Sequence, residues 1–256
     1  MGAHDAVITQ HRDGDVTVIE IDRHERRNAL DTAHCHDLRE ALTGEALTEE
    51  TLTQEALTGP GSARAIVITG TGSSFCAGAD LRAVYDAAFR DALYAMLAAV
   101  AEVPVPVLAA VNGPAIGAGA QLALACDLRV AAPEATFALP TARLGIAVNP
   151  WTIRRLALLA GTGTAQAMLI GGETLDATAA LRCGLASRLG DRAAALAWAR
   201  ELAGLAPLSL AYAKKALNEP DSAGLAKDFD ACWASEDAAE GRRARADKRP
   251  PRFRGR

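Results

Sequence analysis

Phe75-Cys76-Ala77-Gly78-Ala79-Asp80-Leu81 and Asn112-Gly113-Pro114-Ala115-Ile116-Gly117-Ala118-Gly119 share one design. Each follows a short apolar run rich in β-branched residues, Ala65 to Thr69 in the first case and Val105 to Val111 in the second, which reads as a buried strand. Each is then expected to open a helix, from about Leu81 to Glu102 and from Gly117 to Cys126. Small residues let a ligand come close to the backbone. A helix start leaves N–H groups unpaired and carries partial positive charge. Two such N–H groups aimed at one point form an oxyanion hole, able to polarise a carbonyl. Either segment alone is no more than a tight strand-to-helix turn; the two together favour the functional reading.

Working outward, Ala6 to Ile8 and Val16 to Ile21 read as strands around the Asp13-Gly14-Asp15 turn, and a helix capped by Asp31 runs through Leu38 and Leu42. Asp127 to Ala131 and Thr136 to Leu139 read as further strands, and the chain beyond Trp151 as mostly helical. Strand–helix alternation followed by a helical last third predicts an α/β fold, without a Pro/Gly/Ser linker to divide it. Glu-Ala-Leu-Thr recurs at 40–43, 45–48 and 55–58, ahead of Gly59-Pro60-Gly61. That spacing fits no helix period, so the 43–60 insert reads as an expanded helix end or exposed loop, with partner binding the minor alternative.

With 256 residues, half of them hydrophobic, the chain can bury one large core, with or without a helical appendage. The five cysteines (35, 76, 126, 183 and 232) have no CxxC spacing, which points to free thiols and a cytoplasmic protein. Residues 1–15 lack a signal-peptide layout, Ala6 stands where a myristoylation motif needs Ser or Thr, and the apolar run 103–125 is broken by Pro104, Pro106, Asn112, Pro114 and Gln121. No membrane span is expected. Alanine is abundant and only four of the 27 basic residues are lysine, a bias that points to a GC-rich bacterial source. Charge is uneven: residues 242–256 hold eight basic groups and one acid, while the rest of the chain carries a net −11.

Several chemistries lack their residues. There is no Gly-Lys-Ser/Thr phosphate loop and no Gly-x-Ser-x-Gly elbow. All five histidines (4, 11, 24, 34, 36) precede residue 37, which disfavours a Ser-His-Asp relay in the central region. His34-Cys35-His36 on a helix point in different directions and lack a second ligand cluster, so no metal is expected. Gly117-Ala118-Gly119 continues to Leu122 where a dinucleotide fingerprint needs glycine.

On these motifs the chain resembles the crotonase, or enoyl-CoA hydratase/isomerase, superfamily over nearly its whole length. Arg26-Arg27-Asn28-Ala29-Leu30 looks like the family's early coenzyme-binding motif, and the two small-residue segments look like its oxyanion motifs. Cys126-Asp127-Leu128-Arg129-Val130-Ala131 and the stretch from Glu240-Gly241 to Lys248-Arg249-Pro250 also match. The resemblance implies a crotonase-type spiral of ββα units over residues 1–200 and a C-terminal helical trimerisation region over 201–256, giving a homo-trimer or a hexamer built as a dimer of trimers. It implies a coenzyme A thioester as ligand, with no intrinsic cofactor. The backbone N–H groups of Ala79 and Ala118 would be the oxyanion donors; Ala29, Ala77, Asp80 and Leu81 would line the adenine and pantetheine channel. Arg26 and Lys248 would face phosphates, Lys248 reaching a neighbouring subunit, which would give the basic tail a purpose. The alternative for that tail is a solvated, partly frayed end.

The departures fall on the chemistry. Family hydratases hold and activate water with two glutamates; here Gln121 and Thr141 occupy those positions. A neutral carboxamide and a hydroxyl cannot take a proton from water near neutral pH. The glycine-rich turn over the reacting carbons reads Val148-Asn149-Pro150-Trp151-Thr152, and Trp151 is expected either to reshape the acyl pocket or to pack in the core. A mycobacterial subgroup of the family looks similar in the Gln and Thr replacements and in the Asn-Pro-Trp type of turn. It implies an acyl-CoA binder of fatty-acid or mycolic-acid metabolism, with a fatty-acid synthesis protein as a conceivable partner. The first expectation is therefore an acyl-CoA-binding protein without hydratase activity. The second is a working isomerase, thioester hydrolase or weak hydratase, its base among carboxylates that no motif places, such as Asp86, Glu102, Glu134 and Asp176. Nucleic-acid binding through the tail ranks last, because only Phe253 accompanies the arginines.

Overall fold

The computed structural model describes residues 7–43, 62–80, 82 and 84–256. Strands β1 (Ile8–Asp13) and β2 (Val16–Ile21) pair antiparallel, with Asp13 opposite Val16 across the tight turn. The first strand thus runs up to the turn, later than the expected Ala6 to Ile8, and its exposed residues mark it as a sheet edge. β3 (Ala65–Gly70), β4 (Val107–Val111), β6 (Leu128–Ala131) and β9 (Arg188–Leu189) follow in parallel, in the order β1-β2-β3-β4-β6-β9. β3 and β4 are buried throughout, because a parallel sheet is covered on both faces. A smaller sheet joins β5 (Pro114–Ile116), β7 (Thr136–Ala138) and β8 (Leu175–Asp176).

Strand alternation builds two cores. Val16, Val18, Val67, Leu108 and Val130 pack on helix α7 (Arg192–Ala203) through Ala195, Ala199 and Ala203, whose four-residue spacing makes a close-fitting alanine stripe. Arg192–Glu20 and Arg200–Asp13 ion pairs hold α7 to the first hairpin. The opposite face, including Ile19, Ile21, Ile66, Ile68 and Val111, enters the larger core with α1 (Thr32–Thr43), α2 (Ala87–Glu102) and α3 (Ala118–Ala125). Asp31 caps α1 reciprocally with His34: His34 N–H donates to Asp31 Oδ1 (3.1 Å) and Asp31 N–H to His34 Nδ1 (3.2 Å). Burial lowers the His34 pKa, which favours the neutral ring that this bond needs. His34 and Cys35 are buried while His36 is exposed, and no three His, Cys, Asp or Glu converge for a metal among the described residues.

The helix expected from Leu81 begins instead at Ala87, because Asp86 caps it by accepting Ala88 N–H (2.9 Å). Asp80, upstream, accepts Arg82 N–H (3.1 Å) and pairs with Arg23 (3.2 Å), closing a turn. β5, β8 and β9 were not anticipated, since two- and three-residue strands show no alternation. Most of the 43–60 insert, with two of its three repeats, lies outside the described residues.

Beyond Trp151 come α4 (Pro150–Ala160), α5 (Thr162–Leu169) and α6 (Ala177–Arg182), then, after α7, α8 (Pro207–Asn218), α9 (Leu225–Ala234) and α10 (Glu236–Ala246). Buried Lys214 fastens α8 to the core: its Nζ donates to Val100 O (3.0 Å) and Val105 O (3.2 Å) and pairs with Asp127 Oδ2 at 2.8 Å. That carboxylate also accepts Val107 N–H (2.8 Å), so Asp127 braces the start of β4. No described helix is long and apolar enough to cross a membrane.

The basic tail is not frayed. Arg254 and Gly255 N–H groups each donate to the buried Asp237 carboxylate at 2.7 Å, and Arg64 donates to Phe253 O at 2.8 Å. Arg249 forks onto Glu240 (2.6 and 3.0 Å), and Arg252 N–H joins the same carboxylate (3.0 Å). Arg249 and then Arg252 hold the Glu240 carboxyl down at about 2. A carboxyl lowered on folding stabilises fully above its ordinary value of about 4.3, and that contribution is lost as pH falls through the folded value. The Arg252 amide resonance should therefore stay constant down to about pH 4 and move as pH approaches about 2. A transition centred on the ordinary glutamate value would show that the clasp is absent in solution.

Candidate functional site

The two small-residue turns lie against each other. Cys76 and Ala115 form a parallel bridge, with Cys76 N–H donating to Pro114 O (3.1 Å) and Ile116 N–H to Cys76 O (3.0 Å). Gly119 is obligatory here, since a Cβ would sit 2.0 Å from Cys76 O. Gly78, at φ +112°, faces the second turn: a Cβ there would lie 3.0 Å from Ile116 O and 3.9 Å from Ala118 N.

Local pairing leaves two N–H groups over. Leu30 bridges Ala79 in parallel, through Leu30 N–H to Gly78 O (2.9 Å) and Asp80 N–H to Leu30 O (2.7 Å). In that pattern the Ala79 N–H points away from Leu30. Ala118 is the first residue of α3, so its N–H has no partner within the helix. Neither N–H has an acceptor among the described residues, and both residues line one cavity of about 500 Å³.

The far end of α3 is closed by arginines. Arg129, 2% exposed, donates to Ala123 O (3.1 Å), Cys126 O (2.7 Å), Asp127 O (3.2 Å) and Leu185 O. Arg155 adds a bond to Leu124 O (3.1 Å). Burial pulls Arg129 down to about 10, which still leaves it charged at neutral pH. Cationic groups at the C-terminus complement the helix dipole, whose positive end faces the cavity.

Gln121, one turn into α3, and Thr141, opening the 3-10 helix Thr141–Leu144, line the same cavity. Gln121 is 4% exposed, and its Oε1 accepts the Thr152 hydroxyl at 3.0 Å. Thr152 N–H in turn donates to Asn149 Oδ1 (2.9 Å), and Asn149 N–H to the Tyr94 hydroxyl (3.0 Å). The chain running from the cavity is thus neutral at every link. Asp86 is the carboxylate that does line the cavity, at the cap of α2, with Arg90 beside it.

The remaining residues divide. Ala77 lines the cavity, its N–H held by Arg27 O (2.9 Å). Ala29 O accepts from Arg23 (3.0 Å), which also pairs with Asp80. The Arg82 N–H, then Arg23, hold the Asp80 carboxyl below the usual carboxylate range. Arg26 is exposed on the 3-10 helix His24–Arg26 and does not line the cavity; neither does Lys248, at the end of α10 with φ +51°. Leu81 lies outside the described residues. Trp151 does not reach the cavity. Asn149 caps α4, so Thr152 turns toward Gln121 and Trp151, a step of about 100° around the helix, faces a neighbouring cleft.

Sequence reasoning missed Tyr94 and the structural part played by Asn28, and of the four unplaced carboxylates it named, Asp86 is the one that lines the cavity. Asn28 is fully buried at φ +59°, and its side chain bonds Thr71 O (2.9 Å), Ser74 O (2.7 Å) and Arg23 N (3.0 Å), fastening the 26–30 segment to the first turn. An asparagine tolerating positive φ was its only signal. Tyr94 was readable only as part of an apolar helix face.

A family model described as enoyl-CoA hydratase/isomerase matches residues 11–256. A protein named "Probable enoyl-CoA hydratase echA6" from Mycobacterium tuberculosis is 46% identical over 246 residues, covering 94% of this chain and 96% of its own. A carnitinyl-CoA dehydratase of Citrobacter koseri is 38% identical over 214 residues, covering 75% and 82% respectively. The crystal structure of an enoyl-CoA hydratase from Bacillus anthracis superposes with a TM-score of 0.84 at 27% identity, over 98% of this chain and 100% of that one.

Proposed function

The chain belongs to the enoyl-CoA hydratase/isomerase family, and we propose that this member binds an acyl-coenzyme A thioester without hydrating it. The observation that carries the reading is the pairing of Gln121, on the wall of the cavity that Ala79 and Ala118 open onto, with buried Thr152 behind it. Two backbone N–H groups on one cavity would grip a thioester carbonyl. The groups facing the acyl carbons, Gln121 and Thr141, cannot act as general acid or base on water near neutral pH.

In this reading Ala29, Ala77 and Asp80 border the coenzyme channel, while Arg26 and Lys248 serve phosphates. The exposed position of Lys248, away from this chain's cavity, suits contact with a neighbouring subunit's ligand. Residues 201–256 would then form the trimer contacts, and the ligand would place the protein in fatty-acid or lipid metabolism. The competing reading, a working enzyme, is favoured by Asp86 on the cavity wall. That carboxylate is already engaged in capping Ala88, which disfavours it as a base.

The test is calorimetry with a saturated long-chain acyl-CoA beside turnover of crotonyl- and long-chain enoyl-CoA. Binding without turnover is expected. Robust hydration abolished by Asp86→Asn would establish the enzyme instead, and absence of any acyl-CoA binding would end the reading.

A further inference from the structure

Tyr94 stands between two cavities. It lines the central one and also a cleft of about 260 Å³ bordered by Leu97, Ala98, Ala101 and Trp151 and, on its polar side, by Glu102, Asn149, Asn218 and Glu219; among the described residues it is the one the two share. The arrangement follows from α2. Phe89, Leu93 and Tyr94 face the central cavity; Leu97, Ala98 and Ala101 continue the same stripe at helical spacing into the cleft. One helix face therefore lines both spaces, and the Tyr94 ring interrupts it. The ring is pinned at its tip by the Asn149 N–H (3.0 Å), whose carboxamide is itself fixed as the cap of α4.

We infer that Tyr94 is a specificity-determining residue that sets the longest acyl chain this protein accommodates. The inference rests on the acyl-CoA reading. An alkyl chain anchored at Ala79 and Ala118 runs along Phe89 and Leu93 and ends against the Tyr94 ring. The cleft beyond, apolar along Leu97, Ala98, Ala101 and Trp151 and polar at its Glu102, Asn218 and Glu219 edge, stays out of reach.

Affinity across a saturated acyl-CoA series, measured by calorimetry, tests this. Each methylene buried should tighten binding roughly fourfold, until the chain meets Tyr94 and the gain stops. Tyr94→Ala should let the gain continue to longer chains. Tyr94→Phe, which keeps the ring, should leave the limit where it is, and Tyr94→Ala combined with Ala98→Trp should restore it. An unchanged limit in a Tyr94→Ala protein that melts normally would overturn the inference while leaving acyl-CoA binding intact. Should Tyr94→Ala not fold, Ala98→Trp alone decides, because position 98 is exposed and the substitution is easily accommodated. Unaltered affinity for every chain length supports Tyr94 as the limit; selective loss of the longest chains shows that they already pass it. Failure of the native protein to bind any acyl-CoA would remove both readings together.

Discussion

The Gln121→Glu/Thr141→Glu double variant should hydrate crotonyl-CoA at least about a hundredfold faster than the native protein, the lower end of what positioned acid–base groups contribute. A glutamate at 121 would inherit a prepared place. It would accept the Thr152 hydroxyl as Gln121 Oε1 does at 3.0 Å, in a setting only 4% exposed. Burial would raise its pKa, while the hydroxyl and the nearby positive end of α3 would lower it. Those opposed effects leave a carboxylate able to exchange protons near neutral pH. Position 141 opens a short helix after Pro140, where a negative charge is well tolerated. Each single variant should gain little, because groups that act as a pair are strongly non-additive. Initial rates of the singles and the double, with a melt to show that each folds, make the comparison. A double variant that binds acyl-CoA but gains no rate would place the defect in the shape of the cavity instead of in its proton chemistry.

The parts of the fold that could be read from residue order are those governed by local rules. Gly78 and Gly119 announce close backbone approaches, and the contacts a Cβ would make at both positions explain why. Ala79, Thr141 and the Ala118–Gln121 turn of α3, from three separate segments, line one cavity. What was illegible depends on rotation about helices and on long-range partners. Trp151 and Thr152 are neighbours, yet one step around α4 sends only Thr152 toward Gln121. The start of α2 is set by the Asp86 cap, which overrides an apolar pattern that continues upstream. Lys214 and Asn28 are polar residues buried by partners that no local pattern reveals.

Arg129→Leu should be the most damaging single substitution at the site, lowering stability by several kcal/mol. The native side chain satisfies the carbonyls of Ala123, Cys126, Asp127 and Leu185 from a position 2% exposed. Leaving a buried polar group unpaired costs about 1–3 kcal/mol, so losing this set removes much of a typical domain's ~5–15 kcal/mol. Three of those carbonyls end or immediately follow α3, so the helix should fray from its C-terminus. The Ala118 N–H, at the other end of the same eight-residue helix, would lose its fixed position. Arg129→Lys should recover only part of the loss, because a compact ammonium cannot reach carbonyls in several directions as a planar guanidinium does. Urea unfolding of native, Arg129→Lys and Arg129→Leu proteins, each with and without a saturated acyl-CoA, separates stability from binding. The expected order is native, then lysine, then leucine, with ligand protection declining in step. A leucine variant within about 1 kcal/mol of native would mean that solvent reaches these carbonyls, and α3 would then have to be held by its packing alone.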